Sequence, residues 1–360
     1  MRPADDDQGG AGDARRSGRR ARPDLQRRFR RLGHDPDTAR ISGRLGGLAC
    51  RTGAAGGGGS VADRRAGLWR GLARAAWRGR RPDPGAGTIV RAIAGVIETT
   101  DAAMSPFRKW SEISVFNRSR TTDWLPLSSV VLRAIAKAQS VAARTRGAFD
   151  PTLGGLVGRY GFGPITGAPA GAFRDLELRA DGARKAHPRQ TLDLCGIAKG
   201  QALNRCADAL RSIGLEAFFI EMGGEVLARG TRPDGSPWRA AVERPLPGRA
   251  EPQRVVALRD EALATSGDLI NSYVLAGHRY GHITDPQRMA PADSALASVS
   301  VFARRAITAD ALATALFALG PKRGPALAEH AGMDALFLSR DGAGLREVMT
   351  GRFRDRIIWG

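Results

Sequence analysis

The chain has 360 residues, of which 42% are apolar, so one large domain or two modest ones can bury a sizeable core. Its net charge of +20 is uneven: residues 1–90 hold 20 Arg, 9 Asp and neither Lys nor Glu, which leaves +9 for the rest. Three cysteines without a CxxC pair argue against a disulfide framework or zinc site, and no apolar run approaches the roughly 18–20 residues of a membrane span.

Residues 1–87 are rich in arginine and glycine, with runs such as RRSGRRARPD and GAAGGGGS and little hydrophobic periodicity. Two explanations stay open, a disordered extension or a misassigned start or reading frame. A nucleic-acid role would need aromatics or a recognised motif beside the arginines, so we expect no nucleic-acid partner. No apolar segment follows the first arginines, so no signal peptide is readable. We place the packed domain at residues 88–360.

Hydrophobic periodicity then predicts alternating helices and strands. Helical spacing begins at Ile89, and further helices are predicted over residues 128–144, 197–213 and 308–319. Runs of β-forming residues predict strands at 217–222, 239–243, 254–258, 280–284 and 295–302. The order lacks the regular βαβ spacing of a doubly wound sheet, and the late strands resemble meanders. An α+β fold with largely antiparallel sheets and packed helices is therefore favoured.

The segment TLDLCGIAKGQALNRCADAL (191–210) predicts a short strand around Asp193 that turns into a helix. The free N–H groups of a helix N-terminus suit a phosphate, and Gly196 and Gly200 permit close approach of the backbone. An ordinary helix start with Asp193 near the cap explains the pattern equally well. Both interpretations stay open at this point.

Two further segments are ambiguous by themselves. Gly223 and Gly224 follow a predicted strand and favour a bulge over a close ligand approach. ATSGD (264–268) offers two hydroxyls and a carboxylate, but its composition is equally typical of a surface turn. Neither segment alone indicates a site.

Three side chains have the chemistry of a transfer site. His282 is predicted at the end of a strand, and an imidazole that titrates near neutrality can remove a proton from a hydroxyl nucleophile. Asp310 and Thr314, four residues apart, share one helix face and form a pair of hard oxygen ligands that suits magnesium. A solvated histidine and a simple helix cap are the alternative interpretations.

Taken in order, these segments resemble the ApbE family of FAD:protein FMN transferases over roughly residues 88–360. MSPFRKWSEISVFNRS (104–119), GAFDPTLGGLVGRYGFGP (147–164) and LDLCGIAKG are similar to its MSxYxxxSExSxxN, GxFDxTxGPLVxxWGFG and IDLGGIAKG blocks. GGEVLARGTRPDGSPWRAAVERP, ATSGD, HITDP and ADALATALFALG follow in the family's order. The resemblance implies an ApbE-like mixed α/β fold.

The resemblance also implies roles for individual residues. His282 matches the base that deprotonates an acceptor threonine. The positions matching the magnesium site are Ala198, through its backbone carbonyl, and Asp310 and Thr314. The positions matching FAD contacts are Phe107, Ala148, Phe149, Asp150, Cys195, Gln201 and Thr284.

The implied reaction is attack of the threonine oxygen on the FMN phosphorus of FAD, with magnesium on the pyrophosphate and AMP as the leaving group. The partners would be FAD and an acceptor protein carrying the target threonine, in some cases membrane-associated. Such enzymes usually act outside the cytoplasmic membrane, so a periplasmic or membrane-associated location is implied, although no export signal is readable.

The chain departs from the family pattern at several positions. The usual first strand ending in MGT, which contacts FAD, is reduced to GTIV (87–90). Cys195 replaces a glycine, Gln201 a tyrosine, and DPQRMAP the usual DPRTGxP. These departures leave two alternatives open: a magnesium-dependent FAD pyrophosphatase that yields FMN and AMP, and a flavin-binding protein with weakened catalysis.

Overall fold

The computed structural model describes residues 84–169, 171–246, 251–342 and 344–359. Its helices are α1 (Ala86–Met104), α2 (Glu112–Arg118), α3 (Ser129–Arg144), α4 (Gly154–Arg159), α5 (Cys195–Ser212), α6 (Ala306–Ala318) and α7 (Gly320–His330). Its strands are β1 (Leu125–Pro126), β2 (Leu176–Arg179), β3 (Gly182–Lys185), β4 (Phe218–Met222), β5 (Glu225–Arg229), β6 (Trp238–Glu243), β7 (Pro252–Leu258), β8 (Ala262–Gly267), β9 (Ser272–Leu275), β10 (His278–Gly281), β11 (Thr284–Asp285), β12 (Ala290–Pro291), β13 (Leu296–Ala303), β14 (Ala335–Asp341), β15 (Gly344–Thr350) and β16 (Ile357–Trp359).

A six-stranded sheet in the order β15-β14-β13-β8-β5-β4 forms the centre of the fold. Every strand pair in it is antiparallel. One face packs against the helices, including α5 and α6, and the other against the three-stranded sheet β16-β7-β6. The central strand β13 is buried along nearly its whole length because both of its faces are covered. This arrangement confirms the α+β fold.

The helix predictions agree closely with the structure. The helices predicted over 128–144, 197–213 and 308–319 are α3, α5 and α6, with ends within two residues. None of the described helices combines the length and apolarity needed to cross a bilayer. The predicted boundary at residues 87 and 88 stays a prediction, because residues 1–83 lie outside the described residues.

The strand predicted around Asp193 is wrong, because residues 190–194 form no strand. A side chain satisfies this backbone instead: Asn117 Nδ2 donates to the Leu192 carbonyl at 2.8 Å, and Leu192 N–H donates to Asn117 Oδ1 at 2.7 Å. The GTIV segment (87–90) also differs from a strand remnant, since it lies in the first turns of α1.

Three shorter predictions also need correction. Gly223 and Gly224 close the β4–β5 hairpin with φ values of 60° and 93°, so they form a two-residue turn and not a bulge. Most of ATSGD (264–268) belongs to β8, paired with β13, and is not a surface turn. The single strand predicted at 280–284 is interrupted, because β10 ends at Gly281 and β11 begins at Thr284.

Helices α5 and α6 approach each other closely at Gly200. A Cβ atom added there would lie 2.4 Å from the Ala306 carbonyl oxygen, so only glycine fits. Gly200 N–H donates to Asp310 Oδ2 at 2.8 Å, and Ile307 N–H donates to Asn204 Oδ1 at 3.0 Å. The two helices are thus fixed in register by packing and by two buried hydrogen bonds.

We expect Gly200→Ala to lower the free energy of unfolding by about 2 kcal/mol or more, because the added methyl group meets backbone that cannot move without separating the helices. Gly95→Ala is the matched control. It lies in α1 with nothing within 4 Å of the added Cβ, so it should raise stability by about 0.5–1 kcal/mol. Urea unfolding of both variants measures the two effects, and equal stability losses would contradict the prediction.

Candidate active site

Two helices and one strand end meet at a single point of the structure. The first turn of α5 presents Gly196, and the middle of α6 presents Thr314, whose Oγ1 lies 3.5 Å from the Gly196 carbonyl oxygen. Ser266, near the end of β8, places its Oγ 3.3 Å from the same Thr314 oxygen. Asp310 lies one turn earlier on α6, so its carboxylate and the Thr314 hydroxyl share a face, as the sequence spacing predicts.

The same region contains two buried carboxyl groups beside a single lysine. Asp310 is 3% exposed and Glu225 is 2% exposed, while Lys199 Nζ lies 2.5 Å from Glu225 Oε1. Glu225 Oε2 has no hydrogen-bond partner among the described residues. Burial raises the pKa of both carboxyl groups, and in each case Lys199 opposes the shift. Lys199 therefore favours the ionised form of both buried carboxyl groups.

A hard cation would fit this charge imbalance. Magnesium prefers oxygen ligands and keeps part of its water shell, so a carboxylate, a hydroxyl and a backbone carbonyl suffice as protein ligands. Asp310 and Thr314 supply the first two, and Ala198 lies on α5 between the two glycines that face α6. Within the described part of the chain, no group of three His, Cys, Asp or Glu side chains forms a metal site. The predicted magnesium ligands are one carboxylate, one hydroxyl and one backbone carbonyl, so they do not form a group of that type.

His282 directly follows β10 and is held by main-chain contacts to Asn271. Its N–H donates to the Asn271 carbonyl at 3.1 Å, and its ring Nδ1 lies 3.3 Å from the same oxygen. A neutral ring in this position carries its proton on Nδ1, which leaves Nε2 free to accept another. Burial lowers the pKa of His282 to about 4, and the positive charge of Lys199 adds to the shift.

The structure brings some of the predicted FAD-contacting residues to the start of α5. The Phe149 ring lies against Gly196 together with Thr314, and Ala148 is buried beside it. Cys195 is the first residue of α5, is exposed, and donates its N–H to Asp193 Oδ1 at 2.9 Å. These positions surround a helix N-terminus whose free N–H groups would suit a phosphate.

Other predicted contact residues have different surroundings. Asp150 accepts hydrogen bonds from Thr152 and Phe173, so its carboxylate stabilises the loop in which it lies. Gln201 is buried with its amide 3.5 Å from the Val130 carbonyl of α3. Thr284 is buried in β11, and Phe107 is exposed in the loop after α1. Their roles as FAD contacts stay predictions.

Sequence reasoning missed four side chains that shape the region. Asn117 fixes the segment before α5, Ser266 approaches Thr314, and Lys199 pairs with Glu225. A signal for each was present: the asparagine ends the MSPFRKWSEISVFN block, the serine lies in ATSGD, the lysine in GIAKG and the glutamate directly after the paired glycines.

We expect the His282 imidazole to stay neutral from about pH 5.5 to 8, because its pKa is lowered to about 4. The pKa of His282 is lower in the folded than in the unfolded state. As the pH falls from about 6.5 towards 4, the unfolded state therefore binds the proton first, and the free energy of unfolding decreases in this window. Proton–nitrogen NMR of the ring, assigned by the peak missing in His282→Asn, checks this, and a midpoint near 6.5 would contradict it.

The comparisons with known proteins agree on one family. The ApbE family model matches residues 75–337. The FAD:protein FMN transferase of Vibrio cholerae is 34% identical over 281 residues, covering 74% of this chain and 84% of that protein. The Escherichia coli K12 enzyme of the same name is 28% identical over 279 residues, covering 73% and 80%.

Solved structures give the same result. The V. cholerae flavin transferase ApbE matches with a TM-score of 0.68 and 31% identity, over 77% of this chain and 93% of that one. The apo form of Pseudomonas stutzeri flavinyl transferase ApbE matches with a TM-score of 0.69 and 32% identity, over 77% and 90%. This chain therefore belongs to the ApbE family.

Proposed function

We propose that this chain transfers the FMN half of FAD to the hydroxyl of a threonine in an acceptor protein, with magnesium bound at Ala198, Asp310 and Thr314 and AMP released. Flavin transfer from FAD to a protein follows from family membership. The observation that best supports the mechanism is the contact of His282 Nδ1 with the Asn271 carbonyl, which leaves Nε2 free to accept a proton. An acceptor at a membrane surface is part of the proposal and is supported only by the usual location of such enzymes.

The start of α5 would receive the pyrophosphate of FAD. Its N-terminus carries the positive end of the helix dipole, and Lys199 adds a charge one turn further along. The Phe149 ring beside Gly196 offers an apolar wall. When bound, magnesium would neutralise the pyrophosphate and help to orient it for in-line displacement. Asp310, Thr314 and the Ala198 carbonyl are the residues that would hold it.

His282 would activate the acceptor. Its free Nε2 removes the hydroxyl proton as the oxygen forms a bond to the FMN phosphorus and the bond from that phosphorus to the AMP oxygen breaks. The Asn271 carbonyl accepts the Nδ1–H, so the ring keeps one orientation while its charge changes. The low pKa keeps Nε2 unprotonated at neutral pH, at the cost of lower basicity.

We expect His282→Asn to lower protein labelling by about 100-fold or more, because positioned general bases contribute about 10²–10⁴-fold. His330→Asn, at the exposed end of α7, is the matched control and should label normally. The purified chain is incubated with FAD, magnesium chloride and an acceptor protein, and flavin fluorescence is read on the denatured acceptor band. If the wild-type chain releases free FMN and AMP without labelling the acceptor, it is a pyrophosphatase. If it leaves FAD unchanged, it is a flavin-binding protein.

A second prediction concerns the metal ligands. Asp310→Asn keeps the acceptor for Gly200 N–H but removes the negative charge, whose burial is unfavourable without a cation. The variant should therefore be at least as stable as wild type in EDTA. Magnesium chloride should raise the melting temperature of the wild type and not that of the variant, since ligands stabilise only the state that binds them. Equal magnesium shifts in differential scanning calorimetry would contradict the assignment.

A further inference from the structure

The hairpin formed by β9 and β10 ends directly beside His282. Ala276 and Gly277, with φ values of 50° and 78°, close it as a tight two-residue turn. Tyr273 and Tyr280 are cross-strand partners with ring centroids 5.3 Å apart. Phe162 stacks on Tyr273 at 5.4 Å, and Tyr160 on Tyr280 at 6.3 Å. All three tyrosines of the chain thus hold one face of this hairpin against the loop after α4.

Polar contacts hold the hairpin at its base. Arg279 Nη1 donates to Ser272 Oγ at 2.8 Å, and Arg279 Nε lies 3.9 Å from the buried Asp268 carboxylate. Arg340 of β14 also bonds Asp268, at 2.5 Å. The Phe162 ring meets the His282 ring edge-on at 6.3 Å. The hairpin and the catalytic imidazole are therefore parts of one anchored unit.

Despite this anchoring, the hairpin exposes large aliphatic side chains. Ile270, two residues before β9, is 77% exposed, and Val274 and Leu275, on opposite faces of β9, are 60% and 45% exposed. We call these three residues the hairpin patch. Among the described residues, β9 and β10 pair only with each other, so neither outer edge has a ladder partner there. Exposed aliphatic groups beside open strand edges are typical of a surface that binds an extended segment.

We infer that the hairpin patch is the docking surface for the acceptor protein, which lays an extended segment along the hairpin so that its hydroxyl reaches His282. The inference rests on the proposed function. Four residues separate His282 from the tip of β10, about 13 Å at roughly 3.3 Å per residue. An extended segment of about four residues spans this distance, so residues close to the modified one would contact Val274 and Leu275.

The surface chemistry favours this occupant over others. FAD offers phosphates, ribose and aromatic rings, whereas the hairpin patch is aliphatic and the polar centre lies at α5. An anionic membrane would need free cations, but the one arginine of the hairpin is engaged with Ser272 and Asp268. A protein substrate must bring its hydroxyl to His282 Nε2, and the strand leading to His282 is part of this hairpin.

The test uses the double variant Val274→Ser/Leu275→Ser, with Ile358→Ser as the control, an aliphatic residue 49% exposed on β16. Steady-state labelling is measured while acceptor and FAD concentrations are varied separately. We expect KM for the acceptor to rise about tenfold, equivalent to the loss of about 1.4 kcal/mol of binding, with kcat and KM for FAD unchanged. Melting temperatures should stay close to the wild-type value because the replaced side chains are exposed.

Each alternative has its own outcome. An unchanged acceptor KM would overturn the inference, and so would parallel losses in acceptor and FAD parameters, which would mark the hairpin as a structural support. A wild-type dimer in solution that dissociates on substitution would identify a second copy as the occupant and overturn it as well. Wild-type protein that labels no acceptor while cleaving FAD would overturn the proposed function, and the inference with it.

Discussion

The close contact between α5 and α6 at Gly200 is the constraint on which the candidate site depends. The backbone of α5 lies so near the Ala306 carbonyl that no side chain fits between them. Because Gly200 also donates to Asp310, the approach that excludes a side chain is the one that orients the carboxylate. One turn towards the start of α5, Gly196 faces Thr314 in the same way. Helix packing thus determines where the Asp310 and Thr314 side chains lie.

This arrangement buries two carboxyl groups beside one lysine, which compensates their charge only in part. Asp310 and Glu225 are both buried, and Lys199 is the cation that interacts with each. Desolvation of two carboxyl groups against one ammonium group disfavours their joint ionisation. A divalent cation would relieve this cost and would release Lys199 from serving both carboxyl groups. The imbalance is therefore consistent with a cation-binding site.

The sequence predicts well those features that depend on local spacing. Helices α3, α5 and α6 follow from their apolar periodicity, and the shared face of Asp310 and Thr314 follows from four-residue spacing on a helix. Prediction from the sequence fails where contacts between residues far apart in the chain determine the local structure. The segment at Asp193 has a strand-like pattern, but Asn117, 75 residues from Leu192, satisfies its backbone. Residues 264–267 are turn-like in composition, but pairing with β13 makes them a strand.

The site residues follow the same division. His282, Asp310 and Thr314 have chemistry that can be recognised from type and spacing alone. The importance of Lys199 and Glu225 can be recognised only from the burial of Glu225 and their mutual contact, which are properties of the folded chain. Ser266 likewise matters because β8 ends beside α6. Local patterns therefore identify the groups that react or bind, whereas the groups that adjust their charge and orientation depend on long-range contacts.

The candidate site combines two kinds of structure, the contact between α5 and α6 and the β9–β10 hairpin that precedes His282. The half formed by α5 and α6 is rigid because helix backbones are in direct contact, which suits a phosphate and an ion that need fixed geometry. The half formed by the β9–β10 hairpin is held by stacked rings and ion pairs but keeps open strand edges, which suits a polypeptide that arrives from solution. The Asn271 carbonyl fixes the orientation of His282 by contacting both its backbone N–H and its ring. Under the proposed function, a base fixed in this way would remove a proton from a hydroxyl presented beside the hairpin while the phosphorus is held at the start of α5.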